Sequence, residues 1–149
     1  MEREHREIDG GIEEFIASVS DGTQQTEPVI RAMSGLRRHI YLEDEFSVSP
    51  LRGAGMISPI FVIVREHGEL WNSMDALDAL LESGADSGAT LNACRELLAR
   101  LDQHNSKEEP VIYPQAEAVL TAEASAGLSA FLAGGRMPDG WVCSAVRLK

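Results

Sequence analysis

All four histidines of this chain fall in one spacing pattern, and that pattern constrains the fold more than any other feature. His5, His39, His67 and His104 each sit in a segment whose apolar residues recur every three or four positions, which is the period of an amphipathic helix. In an antiparallel helix pair, residues equidistant from the turn lie at one height. Gly22 lies midway between His5 and His39, inside the turn-rich "SDGTQQTEP". Gly53 lies midway between His39 and His67, inside the break made by Pro50, Gly53 and Gly55. The midpoint of His67 and His104 falls between Ala85 and Asp86, inside "SGADSG". All three turns are placed to bring the histidines to one level.

The stripes support this register. The first segment places His5, Ile8, Ile12, Phe15 or Ile16, and Val19 on one face, and Pro28 suits the first turn of the second segment. The second carries Ala32, Leu36, His39, Glu43 and Phe46. The third starts near "SPIF", with Ser58 as expected N-cap, and continues through Ile60, Ile63 or Val64, His67, Trp71, Met74, Leu77 and Leu81. The fourth carries Leu91, Cys94, Leu98, Leu101, His104, Glu108 and Ile112, with Pro110 as an expected bend. A shorter segment spans roughly 122–133 and stops at Gly134-Gly135. The last residues show no period, and nothing reads as a strand. The expected fold is all-α: an up-down-up-down four-helix bundle with a short C-terminal helix and tail. The 149 residues suit one domain, with a core over 2–120 and an extension over 121–149.

Two of the histidines have a glutamate four positions on, one helical turn away on the same face: His39 with Glu43, and His104 with Glu108. His5, His39, Glu43, His67, His104 and Glu108 can therefore meet at one point inside the bundle. Burying these groups without partners costs several kcal/mol per unpaired charge, on the order of magnitude given for isolated buried ions. A metal removes the difficulty. Six imidazole and carboxylate ligands are too many for one tetrahedral zinc. They suit two ions of higher coordination, bridged by the glutamates, with two histidines on each.

The neighbours carry weaker signals. "REHREI" at residues 3–8 returns as "REHGEL" at residues 65–70. Glu4, Glu7, Glu66 and Glu69 border the histidines but lie off the apolar stripe, so they read as solvated. Asp44 and Glu109 directly follow the two glutamates and are candidates for a supporting contact. Tyr41 and Tyr113 flank the two His-x-x-x-Glu pairs and read as packing residues rather than donors to the ligands. Trp71 suits either the core or the wall of a metal pocket. Cys94 reads as a buried hydrophobe and Cys143, in the tail, as exposed.

Composition narrows the partners. A net charge of −11 disfavours nucleic acid and anionic membrane, both of which select cationic surfaces. No apolar run approaches the ~20 residues that span a bilayer. The charged start "MEREHREIDG" has no apolar signal region, and two cysteines make no disulfide scaffold, so the expected location is the cytoplasm.

The stretches "EHREID", "LRRHIYLEDEFSVSPL", "FVIVREHGELW" and "LLARLDQHNSKEEPVIYP" together resemble the hemerythrin-like, or HHE cation-binding, domain family from residue 2 to about 120. The resemblance implies a bundle with a non-haem di-iron centre, usually completed by an oxo or hydroxo bridge. It implies His5 and His39 as ligands of one iron, His67 and His104 of the other, and Glu43 and Glu108 as bridges. Oxygen-carrying hemerythrins have a further histidine one turn after the third motif histidine. Here that position is Trp71. The set is more similar to bacterial proteins that repair iron centres under nitrosative or oxidative stress, and to the iron- and oxygen-sensing domain of a ubiquitin-ligase subunit. The repair proteins commonly add an N-terminal cysteine-containing domain, for which these residues leave no room.

The expected function is therefore di-iron binding, with binding or sensing of O2 or NO, or iron handling under stress. A di-iron enzyme that reduces peroxide, O2 or NO, or repairs iron centres, is the alternative. A metal-free helical interaction module is the second.

Overall fold

The computed structural model describes residues 2–84 and 86–147. Its frame is four long helices: α1 (Glu2–Ser20), α2 (Glu27–Phe46), α4 (Ile57–Glu82) and α5 (Ser87–Lys107). They pack in a closed cycle, α1 on α2, α2 on α4, α4 on α5 and α5 on α1. The stripes explain the cycle. Ile8, Ile12 and Phe15 of α1 are buried against Val29, Met33 and Leu36 of α2 in one apolar cluster, which Leu70, Met74 and Leu77 of α4 and Leu97 and Leu101 of α5 complete. In α5 the deepest residue of its pair is Leu97, and Leu98 only borders the cluster. The expected all-α bundle with a short C-terminal helix and tail is what the chain forms.

Local signals set most helix starts. Glu27-Pro28 opens α2, where a missing proline N–H costs no intrahelical bond. Asp86 caps α5, its side chain accepting from the Ala89 N–H at 3.0 Å. Ala85, beside the expected turn midpoint, lies outside the described residues. The Ser58 cap does not form: α4 begins two residues earlier than that cap implies, with Met56 at the cap position and Ile57 as its first residue.

The middle connection also differs from expectation. After Phe46 the chain stays helical as α3 (Val48–Gly53) and turns at Gly55, whose φ of 93° favours glycine. This short helix has a purpose in packing. Val48 and Leu51 join Ile60, Ile63, Ile112 and Ala116 in a second apolar cluster. The four histidines lie between the two clusters, so both ends of the central layer are sealed by aliphatic side chains.

Pro110 does more than bend the fourth segment. Residues Glu108–Ile112 form a π-turn between α5 and α6 (Tyr113–Val119), and the Tyr113 N–H donates to the Glu108 carbonyl five residues back. Proline has no N–H to donate and its ring crowds the carbonyl four residues before it. A wider turn relieves both problems, and such turns recur at functional sites.

The extension is ordered against the bundle. Thr121 caps α7 (Ala122–Gly134), and Arg38 donates to the carbonyls of Phe131 and Gly135 near its end. The last element, α8 (Ser144–Arg147), lies on α4. Gly68 permits that approach, because a Cβ there would stand 2.8 Å from the Ala145 Cβ. Among the described residues no helix is long and apolar enough to cross a membrane.

Asp9 is a local weakness of α1. Its Oδ1 is buried without a hydrogen bond to any described residue. Burial, with Glu13, Asp102 and Glu109 nearby, pushes its carboxyl up to about 6. A raised acid pKa means that ionising Asp9 opposes folding. That penalty is complete above pH ~6 and vanishes as pH falls towards the ordinary value near 4. Asp9→Asn is therefore expected to add about 1 kcal/mol at pH 7.5, after allowing for partial solvent screening, and nothing at pH 3.5. Urea unfolding at the two pH values checks this, and an equal change at both would contradict it.

Candidate metal centre

The helical register places six buried groups in the layer between the clusters. His5 comes from α1, His39 and Glu43 from α2, His67 from α4, His104 from the end of α5 and Glu108 from the π-turn. None is more than 4 % exposed, and His67 and Glu108 are at 0 %. Their donor atoms form two groups that share both carboxylates. One is His5, His39, Glu43 and Glu108, and the other is Glu43, His67, His104 and Glu108. Within each group one ligating atom per residue lies within 4.8 Å of all the others.

The imidazoles are oriented by a second set of carboxylates. His39 Nδ1 is 2.7 Å from Glu4, and His104 Nδ1 is 3.0 Å from Glu66. His67 Nδ1 is 2.7 Å from Asp44, and His5 Nδ1 is 3.0 Å from Glu109. An ionised carboxylate only accepts hydrogen bonds, so each Nδ1 carries a proton and each Nε2 is the atom left to take a cation, whether a proton or a metal. All four Nε2 atoms face the interior. His39 Nε2 lies 3.0 Å from Glu43 Oε1, and His104 Nε2 lies 3.0 Å from Glu108 Oε1. His67 Nε2 is 3.6 Å from Glu43 Oε1 and 3.9 Å from Glu108 Oε2.

These atoms are short of positive charge. His5 Nε2 and His39 Nε2 stand 3.0 Å apart, and two lone pairs at that distance need a cation or a proton between them. His67 Nε2, Glu43 Oε1 and Glu108 Oε2 are buried and make no hydrogen bond to any described residue. Titration behaviour reports the same imbalance. Burial opposes charging His39, but Glu43 and Glu4 outweigh it and push its pKa up to about 10. Burial likewise opposes charging His67, yet Asp44 and Glu43 carry it well above the ordinary range. His5 moves down, through burial and the nearby His39. Burial and the Glu43 charge push Glu108 up to about 7. Glu43 stays well below the usual range, because His39 and its hydrogen bonds overcome the burial. Four imidazoles and two carboxylates buried from water, with four further carboxylates at their outer edges, make a strong cation site. The donor set of imidazole nitrogen and carboxylate oxygen suits first-row transition ions.

Several expectations are corrected here. Glu4 and Glu66 do not point to solvent. They sit about 100° around their own helices from His5 and His67, which aims them at the neighbouring helix instead of outwards. Each therefore holds the histidine of its hairpin partner. The repeated Glu-His is a paired device, and the repeat itself was the signal. Glu7 and Glu69 are exposed, as expected, and face Arg3 and Arg100. Asp44 and Glu109 make the supporting contacts for which they were candidates.

Tyr113 is no mere packing residue, since its hydroxyl lies 2.8 Å from His5 Nε2, 3.1 Å from His39 Nε2 and 3.5 Å from Glu108 Oε1. Tyr41 does pack, against Phe131 and Trp141. Trp71 belongs to the first apolar cluster, beside Trp141 and Arg37. Cys94 is buried as expected. Cys143 is buried too, with Sγ 3.5 Å from Asp44 Oδ2, because the tail folds back over α4.

Comparison with known proteins agrees with this geometry. The family model described as the hemerythrin HHE cation-binding domain matches residues 1–116. Comparisons with curated proteins and with solved structures gave no match.

Proposed function

The chain belongs to the hemerythrin HHE cation-binding domain family, and from that premise we propose that it holds two non-haem iron ions and binds a small ligand such as O2 or NO at them. The observation that carries this reading is the pair of four-residue clusters sharing Glu43 and Glu108. His5 and His39 would serve one ion, His67 and His104 the other, and the two glutamates both. When bound, the iron pair supplies one-electron redox chemistry and affinity for small diatomic ligands.

The protein's own part is to fix and tune the ligands. Glu4, Asp44, Glu66 and Glu109 lock each imidazole in the tautomer that donates through Nε2, and make it more basic. Six carboxylates stand around the site, with Glu4 also paired to Arg38 and Glu66 to Lys107, and the remainder would offset much of the charge of two bound cations. The aliphatic layers on either side exclude water and strengthen each of these interactions. Residues 1–149 are read as one domain, with 121–149 as a C-terminal extension, acting in the cytoplasm. A metal-free interaction module has no use for four imidazoles aimed inwards from four helices, and binding or sensing is favoured over turnover because it asks only for the metal pair and an open coordination position.

Metal analysis with an optical spectrum tests the reading. About two irons per chain are expected for two sets of ligands, together with the charge-transfer absorption of a bridged ferric pair, bleached by anaerobic reduction. A single tightly held zinc, or a chain that takes up no metal after reconstitution, would refute it.

The outer carboxylates give a separate prediction. Asp44→Asn and Glu66→Gln each keep the side-chain shape but present a weaker acceptor, or the wrong group, to Nδ1. Each is expected to weaken metal binding about 10–100-fold while the helix content stays constant. Competition with a coloured chelator measures the affinity. Unchanged affinity in both variants would show that these carboxylates do not support the ligands.

A further inference from the structure

A carboxylate has two oxygens, and three of the outer carboxylates differ in what holds the second one. Glu4 places Oε1 on His39 and Oε2 on the Arg38 guanidinium, at 2.7 and 3.2 Å. Glu66 places Oε1 on His104 and Oε2 on the Lys107 ammonium. Asp44 places Oδ1 on His67 at 2.7 Å, and among the described residues no lysine or arginine pairs with it. Its Oδ2 instead accepts the thiol proton of Cys143, at 3.5 Å. The contacts Cys143–Asp44–His67 thus run from the C-terminal extension to the polar layer.

The extension, not the bundle, puts the thiol there. Cys143 stands 99 residues from Asp44 in the chain and beyond residues 1–116, which match the family model. On either side of it Met137, Trp141, Val142, Ala145 and Val146 pack against the first apolar cluster. Ala145 also seats on Gly68, the residue next to His67. This apolar anchorage holds the segment without help from the thiol. Cys143 is 0 % exposed, so its S–H has no water to meet and turns to the acceptor beside it. Burial and the Asp44 charge push its pKa up, which keeps the thiol protonated and able to donate.

The kind of donor matters. A guanidinium or an ammonium fixes a carboxylate and also offsets its charge. A thiol is a weak, neutral donor, so it fixes the oxygen and leaves the charge with His67. A charged carboxylate on Nδ1 makes the imidazole a more basic ligand.

We propose that Cys143 is a positioning residue of the metal centre: its thiol orients Asp44 on His67, so that the C-terminal extension takes part in metal binding by the His67/His104 set. The inference rests on the di-iron reading above and adds to it a part of the chain beyond the matched residues. Cys143 acts through Asp44 and is not itself a ligand.

The test uses the full chain and iron(II) without oxygen, with affinity read by competition with a coloured chelator. The iron content of the parent is measured first. Cys143→Ala and Cys143→Ser have nearly equal side-chain volumes and differ in the donor. Circular dichroism checks their helix content. If Cys143→Ala loses it, Cys143→Val, which fills the space without a donor, takes its place. Losing one buried hydrogen bond is expected to weaken binding of one ion about fivefold in Cys143→Ala, and Cys143→Ser is expected to stay within about twofold of the parent. With Asp44→Ala already present, Cys143→Ala is expected to weaken binding no further. Equal losses in the Ala and Ser variants, a full loss that persists beside Asp44→Ala, or no loss in Cys143→Ala would overturn the proposal. If the parent takes up no iron, the di-iron reading fails and this role fails with it, a result seen in the parent before any variant is compared.

Discussion

Glu43→Ala and Glu108→Ala are each expected to reduce bound iron from about two ions per chain to nearly none, because each carboxylate belongs to both four-residue groups. On the proposed ligand sets, removing a histidine would strip one ligand from one ion, whereas removing either glutamate would strip one from each. Metal analysis after gel filtration reads the effect, and retention of more than half the iron would contradict a shared role. Glu108→Gln sharpens the point. Burial and Glu43 push the Glu108 carboxyl up to about 7, so ionising it opposes folding of the metal-free chain. That penalty is complete above pH 7 and disappears as pH falls towards the ordinary value near 4.5. The metal-free Glu108→Gln protein should then be at least as stable as its parent at pH 8, with the advantage gone at pH 4, while its iron content collapses. A group that costs stability and is needed for metal is the mark of a site selected for binding. Thermal unfolding at the two pH values, with chelator present, distinguishes this from a general loss of fold.

The second large effect is on the whole fold. Iron bound as proposed would need the assembled layer and would find no comparable site in the unfolded chain, since the six groups come from separate elements. At a free metal concentration about a thousandfold above Kd, binding adds about 4 kcal/mol. For a chain of this size that raises Tm by roughly 10 °C. Calorimetry of the loaded and chelator-stripped protein measures it. A shift under about 2 °C with two irons confirmed per chain would mean that the layer does not assemble around the metal. The metal-free bundle is still expected to fold, because the two apolar clusters do not depend on the ions.

How much of this was legible in the sequence depends on what each residue's signal measures. Apolar periodicity reports how a residue faces its own helix axis. It was enough to place His5, His39, Glu43, His67, His104 and Glu108 inwards, and the turn positions were enough to level them. The same reasoning misplaced Glu4 and Glu66. A residue off the stripe of its own helix can still face the flank of the next one, and only the packing of α1 on α2 and α4 on α5 decides that. The mirrored positions of Glu4 and Glu66, and of Asp44 and Glu109, were the available clue. Cys143 carried none, since the tail has no period and its burial comes from α8 lying over Gly68.

By itself the sequence determined an all-helical chain with four long amphipathic stripes, the heights of its four histidines and the two His-x-x-x-Glu pairs. Those are local quantities, set by the 3.6-residue period and by glycine and proline in the turns. Only the tertiary structure decided which carboxylate holds which imidazole, that the extension closes over α4, and that Tyr113 enters one half of the polar layer. The first two depend on contacts between helices that no single helix encodes. The third depends on a π-turn at Pro110, where one wider turn shifts the phase of everything after it and moves a tyrosine from the helix flank to His5 and His39.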